Sequence, residues 1–298
     1  MSLIVTGASG HLGTAAAERV IALRGSSADL VLVSRRPAAI AERFDGADIR
    51  HGDFADPAGL VEAFRGGDRM LLISADNIQA RAAWHAAAID AAKAAGVQHI
   101  IYTSMIEPGA GNPALIADSH RATEQHLRAS GIGWTVLRCA LYSDFQVFEA
   151  AEAVASGQFR HNRGDGRCSY VARADCAAVA AAVLTSDNRS GIVDVTGPDA
   201  LDATDLAALY ATVGRAEVAP VSVTDEELAA ALRPADGADP DGHAQYGAAL
   251  AVSLGRAIRE GYFGAVTGAV AEITGRRPAS VADLLQREAS TVRALSGR

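Results

Sequence analysis

The sequence predicts an α/β protein with a doubly wound parallel sheet, followed by a smaller, mostly helical C-terminal lobe. Three observations support this fold class. An apolar run at the N-terminus leads through a glycine-rich turn into an alanine-rich helical stretch. Strand-like and helix-like segments then alternate through the first half of the chain, as in parallel α/β folds. Beyond Arg138 this alternation decays, and glycine and proline residues divide the sequence into shorter pieces.

The first predicted strand, 3–5, ends at a turn that has glycine at every third position. The spacing G-x-x-G-x-x-G differs from the dinucleotide fingerprint G-x-G-x-x-G, so its context carries the prediction. The turn lies between a strand and a helix, and a second apolar run at 30–33 completes a strand–helix–strand unit. Such a turn lets the backbone approach a pyrophosphate and presents helix N–H groups to it. The predicted phosphate-binding residues are Gly7, Ser9, Gly10, His11, Leu12 and Gly13.

The charge at the end of the second strand indicates which cofactor is bound. An NAD site places Asp or Glu there for the ribose 2′-hydroxyl, whereas a 2′-phosphate needs a cation. Here Ser34 is followed by Arg35 and Arg36. The sequence therefore predicts NADPH, with Arg35 as the bidentate partner of the 2′-phosphate. Arg36, just before Pro37, is equally compatible with a solvated position at the strand end.

The remaining elements follow from apolar periodicity and from turn residues. Further strands are predicted at 48–51, 69–74, 99–103 and 134–138, and helices at 12–24, 57–64, 79–95 and 114–130. In the second half, helices are predicted at 144–156, 174–186, 204–213, 225–232 and 280–295, a strand at 192–196 and an exposed loop at 233–242. The chain thus divides into a Rossmann domain, 1–140, and a mainly helical substrate-binding lobe, 141–298, with some return to the Rossmann sheet.

Composition limits the classes of function. A formal charge of −8 and a pI near 5.5 describe an acidic, soluble protein, and no basic run longer than an Arg pair favours nucleic-acid binding. Three cysteines without a C-x-x-C pair suggest neither a disulfide framework nor a metal site. The first strand starts at once, without room for a signal peptide, and no apolar run is long enough to span a membrane. We expect a cytoplasmic protein.

Several further motifs occur in a fixed order along the chain. They are the segments 52–54, 71–74, 102–104, 137–143 and 274–278. Together with the glycine turn and the Arg pair, they make the chain resemble the NmrA-like atypical short-chain dehydrogenase/reductases over nearly its whole length. Within that family it is most similar to the NADPH:quinone oxidoreductase and triphenylmethane reductase types. The resemblance implies hydride transfer from NADPH to a quinone-like or other conjugated small molecule.

The resemblance also assigns roles to individual residues. Asp53 with Phe54 flanks the adenine, and the pair Ile73 and Ser74 lies along the ribose side of the cofactor. Thr103 and Ser104 lie near the nicotinamide. For Ser74 and Ser104, a local role in satisfying backbone groups at the strand ends is an alternative.

The catalytic residues are less clearly marked. Ordinary members of the superfamily use a Tyr-x-x-x-Lys pair, but the single lysine here, Lys93, has Ile89 four residues before it. The corresponding helix instead carries His120 and Glu124 one turn apart. His120 is a candidate proton donor with Glu124 holding its ring, or the two form a pair on the helix surface. Tyr142 is a second candidate donor or a pocket wall, and Ser104 completes the candidate catalytic set.

Two functions are compatible with these features. The first is an NADPH-dependent reductase, for which a quinone suits weak acid catalysis because aromatisation drives its reduction. The alternative is a non-catalytic NADP(H)-binding redox sensor that acts through a protein partner. Where the close relatives have Asn and a bulkier aromatic residue, this chain has Cys139 and Leu141, so the acceptor is not specified. We expect a small-molecule acceptor, no nucleic acid or membrane partner, and a homodimer as an option through helix 79–95.

Overall fold

The computed structural model describes residues 1–186, 190–233 and 243–297. Its centre is a seven-stranded sheet in which every strand pairs in parallel with its neighbours. In chain order these strands are β1 (Leu3–Thr6), β2 (Leu30–Ser34), β3 (Asp48–His51), β4 (Arg69–Leu72), β5 (His99–Met105), β6 (Gly133–Cys139) and β8 (Gly191–Val195). The intervening strand β7 belongs to a second, smaller sheet. The predicted fold class is confirmed.

The strand order, β3-β2-β1-β4-β5-β6-β8, reverses direction next to β1. The chain builds outward from β1 to β3 and then returns to place β4 on the other side of β1. Leu3 accordingly pairs in register with Leu30 on one side and with Arg69 on the other. In open α/β sheets, ligands bind outside the carboxyl ends of the strands at such a reversal. The turn that follows β1 occupies this position.

Helices cover both faces of the sheet. One face packs on α1 (His11–Arg24) and α6 (Arg173–Thr185), and the other on α2 (Pro57–Phe64), α3 (Ile78–Ala94) and α4 (Ala117–Ala129). The alternation of side chains along β1 separates the two cores, since Leu3 and Val5 join the first and Ile4 joins the second. All three side chains are fully buried.

The helix boundaries follow the polar and glycine residues that flank them. Asp56 caps α2 by accepting from the Gly59 N–H, and Pro57 takes the first helical position. Asn77 caps α3 in the same way. Gly25 ends α1 in the left-handed region at φ 68°, where a residue with a side chain is strained.

The second half contains α5 (Gln146–Ser156), α7 (Ala203–Gly214), α8 (Asp225–Ala231), α9 (His243–Arg259), α10 (Ala269–Thr274), α11 (Val281–Arg287) and α12 (Ala289–Leu295). It also holds a small parallel sheet of β7 (Gln158–His161) and β9 (Ala219–Ser222), which the sequence analysis missed. Each strand has only four residues, which is too short for a clear strand pattern. Pro220 weakens the pattern of β9 further, because proline cannot donate to the sheet. The single helix predicted at 280–295 is two helices that meet at Glu288.

The two halves of the chain share the large sheet. β8 pairs with β6, and α6 packs on α1, so both elements return to the Rossmann layer. The boundary at residue 140 between the Rossmann domain and the helical lobe stays a prediction. Most of the predicted loop, 234–242, lies outside the described residues. Among the described helices, none is long and apolar enough to cross a membrane.

Candidate active site

The glycine turn between β1 and α1 has the close geometry that phosphate binding requires. Gly7 has a φ of +59°, and its carbonyl oxygen accepts from the Gly10 N–H at 2.9 Å. A Cβ on Gly13 would lie 2.2 Å from the same oxygen, so only glycine fits there. α1 starts after Gly10 without a side-chain cap, which leaves its first N–H groups able to bind an anion.

The other predicted turn residues differ in how they face the cleft. Ser9 is half-buried, and its Oγ accepts a hydrogen bond from Ser34 Oγ at 2.8 Å, which ties the turn to the end of β2. His11 is exposed at the start of α1. The Leu12 side chain lies in the hydrophobic core, so only its main chain is available to a ligand.

Two cations stand beside this turn. Arg35 and Arg36 directly follow β2, and both side chains are exposed. Neither takes part in an ion pair among the described residues, so both guanidinium groups are available to a phosphate. The geometry does not distinguish Arg35 from Arg36 as the phosphate partner.

Asp53 and Phe54 follow β3 and are both half-buried. The Asp53 carboxylate accepts from the Ala55 N–H at 3.0 Å, which fixes the bend after the strand. The Phe54 ring packs edge-on against the His85 ring, with 6.0 Å between their centroids. One edge of Phe54 is therefore occupied by α3, and the rest of the ring is partly open.

The end of β4 is held by hydroxyl groups on its neighbours. The Ile73 N–H donates to Thr6 Oγ1 at 3.1 Å, and the Ser74 N–H donates to Thr103 Oγ1 at 3.0 Å. A Cβ on Gly7 would lie 3.7 Å from the Cβ of Ile73, so Ile73 packs against the glycine turn. The structure thus brings Ile73, Ser74 and Thr103 together with the turn. Thr103 is buried and positions the β4 end, whereas Ser74 is only half-buried.

A buried polar network lies between α3, α4 and β5. The Ala75 N–H donates to His85 Nε2 at 2.9 Å, so His85 Nδ1 carries the proton and donates to Thr123 Oγ1 at 3.0 Å. The Thr123 hydroxyl donates in turn to the Ser119 carbonyl oxygen at 2.8 Å. Burial and the charge of Arg81 lower the pKa of His85 to about 3, so this ring is neutral.

His120 occupies the centre of the same network. Arg81 Nη1 lies 3.3 Å from His120 Nε2 and can only donate, so Nε2 is the acceptor. The proton is then on Nδ1, which lies 2.7 Å from the Tyr102 hydroxyl oxygen and donates to it. Burial, with the Arg81 charge and His85 beside it, holds the pKa of His120 well below its usual range. Both ring nitrogens are occupied, and His120 carries no acidic proton at neutral pH.

The expected pairing of Glu124 with the His120 ring is wrong. Glu124 Oε1 accepts from Ser104 Oγ at 2.8 Å and from Arg138 Nε at 3.0 Å. Its other oxygen accepts from Arg138 at 2.7 Å and from Arg128 at 2.8 Å. The alternative of a surface pair is wrong as well, because His120 is 5% and Glu124 2% exposed. Side chains four residues apart on a helix are neighbours, but Glu124 bonds instead to Ser104 and Arg138 of the sheet and to Arg128 of its own helix.

Ser104 and Tyr142 differ in how free their hydroxyls are. The Ser104 hydroxyl is buried and donates to Glu124, so it is committed within the protein. Tyr142 is half-buried, with the Arg173 guanidinium 5.2 Å from its ring centroid. Burial raises the pKa of Tyr142 well above its usual range, so its hydroxyl is protonated at neutral pH.

The sequence analysis missed two residues that contribute to this cleft. Arg81, in the first turns of α3, is 6% exposed and contacts Ala75, Ser119 and His120. Tyr246, in α9, has a buried hydroxyl without a partner among the described residues. The position of Arg81 near the start of an alanine-rich helix could have indicated a role for this arginine in the site. Nothing in the sequence near Tyr246 indicated that α9 returns to the cleft.

Known proteins resemble this chain in sequence and in fold. The family described as NAD(P)H-binding matches residues 7–187. Quinone oxidoreductase 2 of Escherichia coli K12 is 36% identical over 233 residues, which are 78% of this chain and 81% of that protein. The crystal structure of the NADPH-dependent quinone oxidoreductase from E. coli, complexed with NADPH, superposes with a TM-score of 0.87 at 30% identity, over 96% of this chain and 99% of that one. The Citrobacter triphenylmethane reductase complexed with NADP(H) gives a TM-score of 0.85 at 26% identity, over 96% and 99% of the two chains.

Proposed function

Because this chain belongs to the NAD(P)H-binding family, we propose that it is an NADPH-dependent reductase of quinone-like acceptors. The choice of acceptor rests on the scarcity of proton donors in the cleft. The only lysine of the chain, Lys93, donates to the Ser130 carbonyl oxygen at 2.7 Å, and His120 is neutral with both nitrogens occupied. An acceptor that needs strong proton donation is poorly served by such a site.

The residues expected to hold the cofactor fit it. N–H groups without a side-chain cap at the start of α1 suit the pyrophosphate, and the exposed Arg35 suits the 2′-phosphate. Asp53 with Phe54 would flank the adenine, and Ser74 with Thr103 would line the ribose and nicotinamide side. When bound, NADPH supplies a hydride.

The protein's part in the reaction is to orient the acceptor and to manage one proton. Two-electron reduction of a quinone adds one hydride and one proton and gives an aromatic hydroquinone, so positioning of the ring is the main requirement. The Tyr142 hydroxyl, or water that reaches the cleft, supplies the proton. Ser104 and His120 act as positioning residues, because Glu124 and Tyr102 hold their polar atoms.

The proposal is tested by following NADPH oxidation with menadione, with a triphenylmethane dye and with no acceptor. We expect oxidation that depends on the acceptor and is lost in Gly10→Val. Tyr142→Phe is expected to lower turnover partially, by about tenfold or less, because water substitutes for the hydroxyl. If the purified protein binds NADPH tightly but reduces no quinone, dye or carbonyl compound, the redox-sensor alternative replaces the reductase.

The acceptor is a small molecule, and we further propose the cytoplasm as the compartment and a homodimer as the assembly. All three cysteines are buried and free, which suits a reducing compartment. Because α3 packs between α2 and α4, a dimer through this helix uses the side chains that those two helices leave uncovered. Light scattering after gel filtration measures the assembly, and a monomeric mass contradicts the dimer.

A further inference from the structure

Arg81 is a buried cation without an opposite charge beside it. Its Nε donates to the Ala75 carbonyl oxygen at 2.7 Å, and its Nη1 contacts Ser119 Oγ and His120 Nε2, each at 3.3 Å. All three partners are neutral. Asp76, the acid whose charge acts on it, forms no ion pair with it among the described residues. A buried ion normally requires a counter-ion, because removal from water is costly.

The remaining nitrogen of the guanidinium group, Nη2, makes no hydrogen bond with the residues that the structure describes. The side chain is held rigidly by its other contacts, with 6% of its surface exposed. A guanidinium group that is held in place by Nε and Nη1 and has no partner on Nη2 is suited to bind a carboxylate, phosphate or phenolate oxygen.

A second polar group without a partner comes from α9. The Tyr246 hydroxyl is buried and makes no hydrogen bond within the described residues. Burial raises the pKa of the Tyr246 phenol, and the nearby Arg81 charge opposes that rise, so the two side chains act electrostatically on each other. Buried polar atoms are normally paired, so an orphan hydroxyl beside an unneutralised cation indicates a missing ligand.

These groups lie at the carboxyl ends of the strands, where the cleft is. Ala75, which accepts from Arg81, directly follows Ser74 at the end of β4. Ser119 and His120 belong to the first turn of α4, which follows β5. α9 is fixed over the same region, since the Leu115 N–H donates to Ser253 Oγ at 3.1 Å.

We propose that Arg81 and Tyr246 form an anion site that selects acceptors carrying an ionised oxygen, such as hydroxyquinones, over neutral and cationic acceptors. This inference rests on the proposed reductase function, which it refines. The site discriminates by charge: a bound anion neutralises Arg81 and accepts from the Tyr246 hydroxyl, whereas a cationic dye is repelled.

The test compares two quinones of nearly equal size. Menadione carries a methyl group, and lawsone carries, at the same ring position, a hydroxyl that is ionised at neutral pH. Binding is measured by calorimetry with saturating NADP⁺, so that no turnover occurs. We expect Arg81→Gln to weaken lawsone about ten- to a hundredfold and menadione less than about threefold. Arg121→Gln, on α4 but paired with Asp118, is the matched control and should change neither affinity.

Tyr246→Phe keeps the inference testable if Arg81→Gln does not fold, because it removes only one hydroxyl. It should weaken lawsone about three- to tenfold and leave menadione unchanged. Equal losses for the two quinones, unchanged lawsone affinity in both folded variants, or no lawsone binding to the wild type overturns the anion site. A wild type that binds lawsone in this charge-dependent way but oxidises no NADPH with menadione overturns the reductase function and not the anion site.

Discussion

Gly10 and Gly13 lie three residues apart in one turn, yet the structure predicts opposite consequences for their substitution. Gly10 has φ −84° and ψ 166°, which any residue adopts, and a Cβ there would lie 3.3 Å from a single atom, the Gly7 carbonyl oxygen. Its side chain would extend into the space above the turn. We therefore expect Gly10→Val to fold and to lose NADPH affinity by about a hundredfold or more, because the side chain occupies the pyrophosphate position.

Gly13→Ala acts on the fold instead. Its Cβ would lie 2.2 Å from the Gly7 oxygen and 2.8 Å from the Gly7 carbonyl carbon, and a backbone group cannot rotate away. We take about 3 kcal/mol, the upper part of the range for overpacking. Alanine regains about 1 kcal/mol of helix propensity, because Gly13 lies inside α1. The net loss of about 2 kcal/mol corresponds to a fall in Tm of about 4–8 °C, at roughly 2–4 °C per kcal/mol.

Circular dichroism melts without cofactor measure the stability of both variants, and NADPH fluorescence measures their binding. Cofactor is omitted from the melts because bound ligand raises Tm by itself. We expect Gly10→Val to melt within about 4 °C of the wild type, since its loss of stability is about 1 kcal/mol. A folded Gly10→Val protein with wild-type NADPH affinity refutes the assignment of the turn to phosphate. A Gly13→Ala protein that melts like the wild type refutes the close-packing argument.

Three further outcomes follow from charges in the structure. Arg35→Ala should weaken NADPH about ten- to a hundredfold and NADH little, and calorimetry that shows equal losses for both cofactors contradicts the assignment. Arg36→Ala tests the other arginine, and a selective loss of NADPH affinity in that variant alone gives the role to Arg36. The folded-state pKa of His85, about 3, lies below its ordinary 6.5, so stability is lost as the pH falls from 6.5 toward 3. That loss is about 2 kcal/mol at about pH 5, and urea unfolding should show a smaller loss for His85→Gln. Glu124→Gln should lower the free energy of unfolding by about 3 kcal/mol and the half-exposed Arg128→Ala by about 1 or less; equal losses contradict this ranking.

Much of the fold was predictable because its signals are local. An apolar strand, a glycine turn and an alanine-rich helix repeat at short range, and caps such as Asp56-Pro57 mark where helices begin. β7 and β9 escaped prediction because they pair with each other across more than fifty residues, as the register of Phe159 with Pro220 shows. Their stabilising contacts are long-range, so neither four-residue segment has a distinctive pattern of its own.

The site divides in the same way. The glycine turn and the arginines after β2 could be located from the sequence because both directly follow apolar strands. Their contacts with the cofactor stay predictions. The partners of Glu124 could not be predicted, since Ser104 and Arg138 reach it from two different strands. A spacing of four along a helix identifies neighbouring side chains, but tertiary packing decides which hydrogen-bond partners a buried side chain contacts.

The helix that carries the reactive pair in ordinary members of the superfamily has a structural use in this chain. His120 joins Arg81 to Tyr102, and Glu124 joins Ser104 to the arginines of α4 and β6. Arg81 holds its charge next to a histidine that must stay neutral to accept from it, so protonation of His120 would place two buried cations side by side. The network therefore keeps a fixed positive charge, rather than a mobile proton, in the cleft. A fixed charge of this kind binds and orients an oxygen that bears negative charge, which suits an acceptor whose reduction needs positioning more than acid.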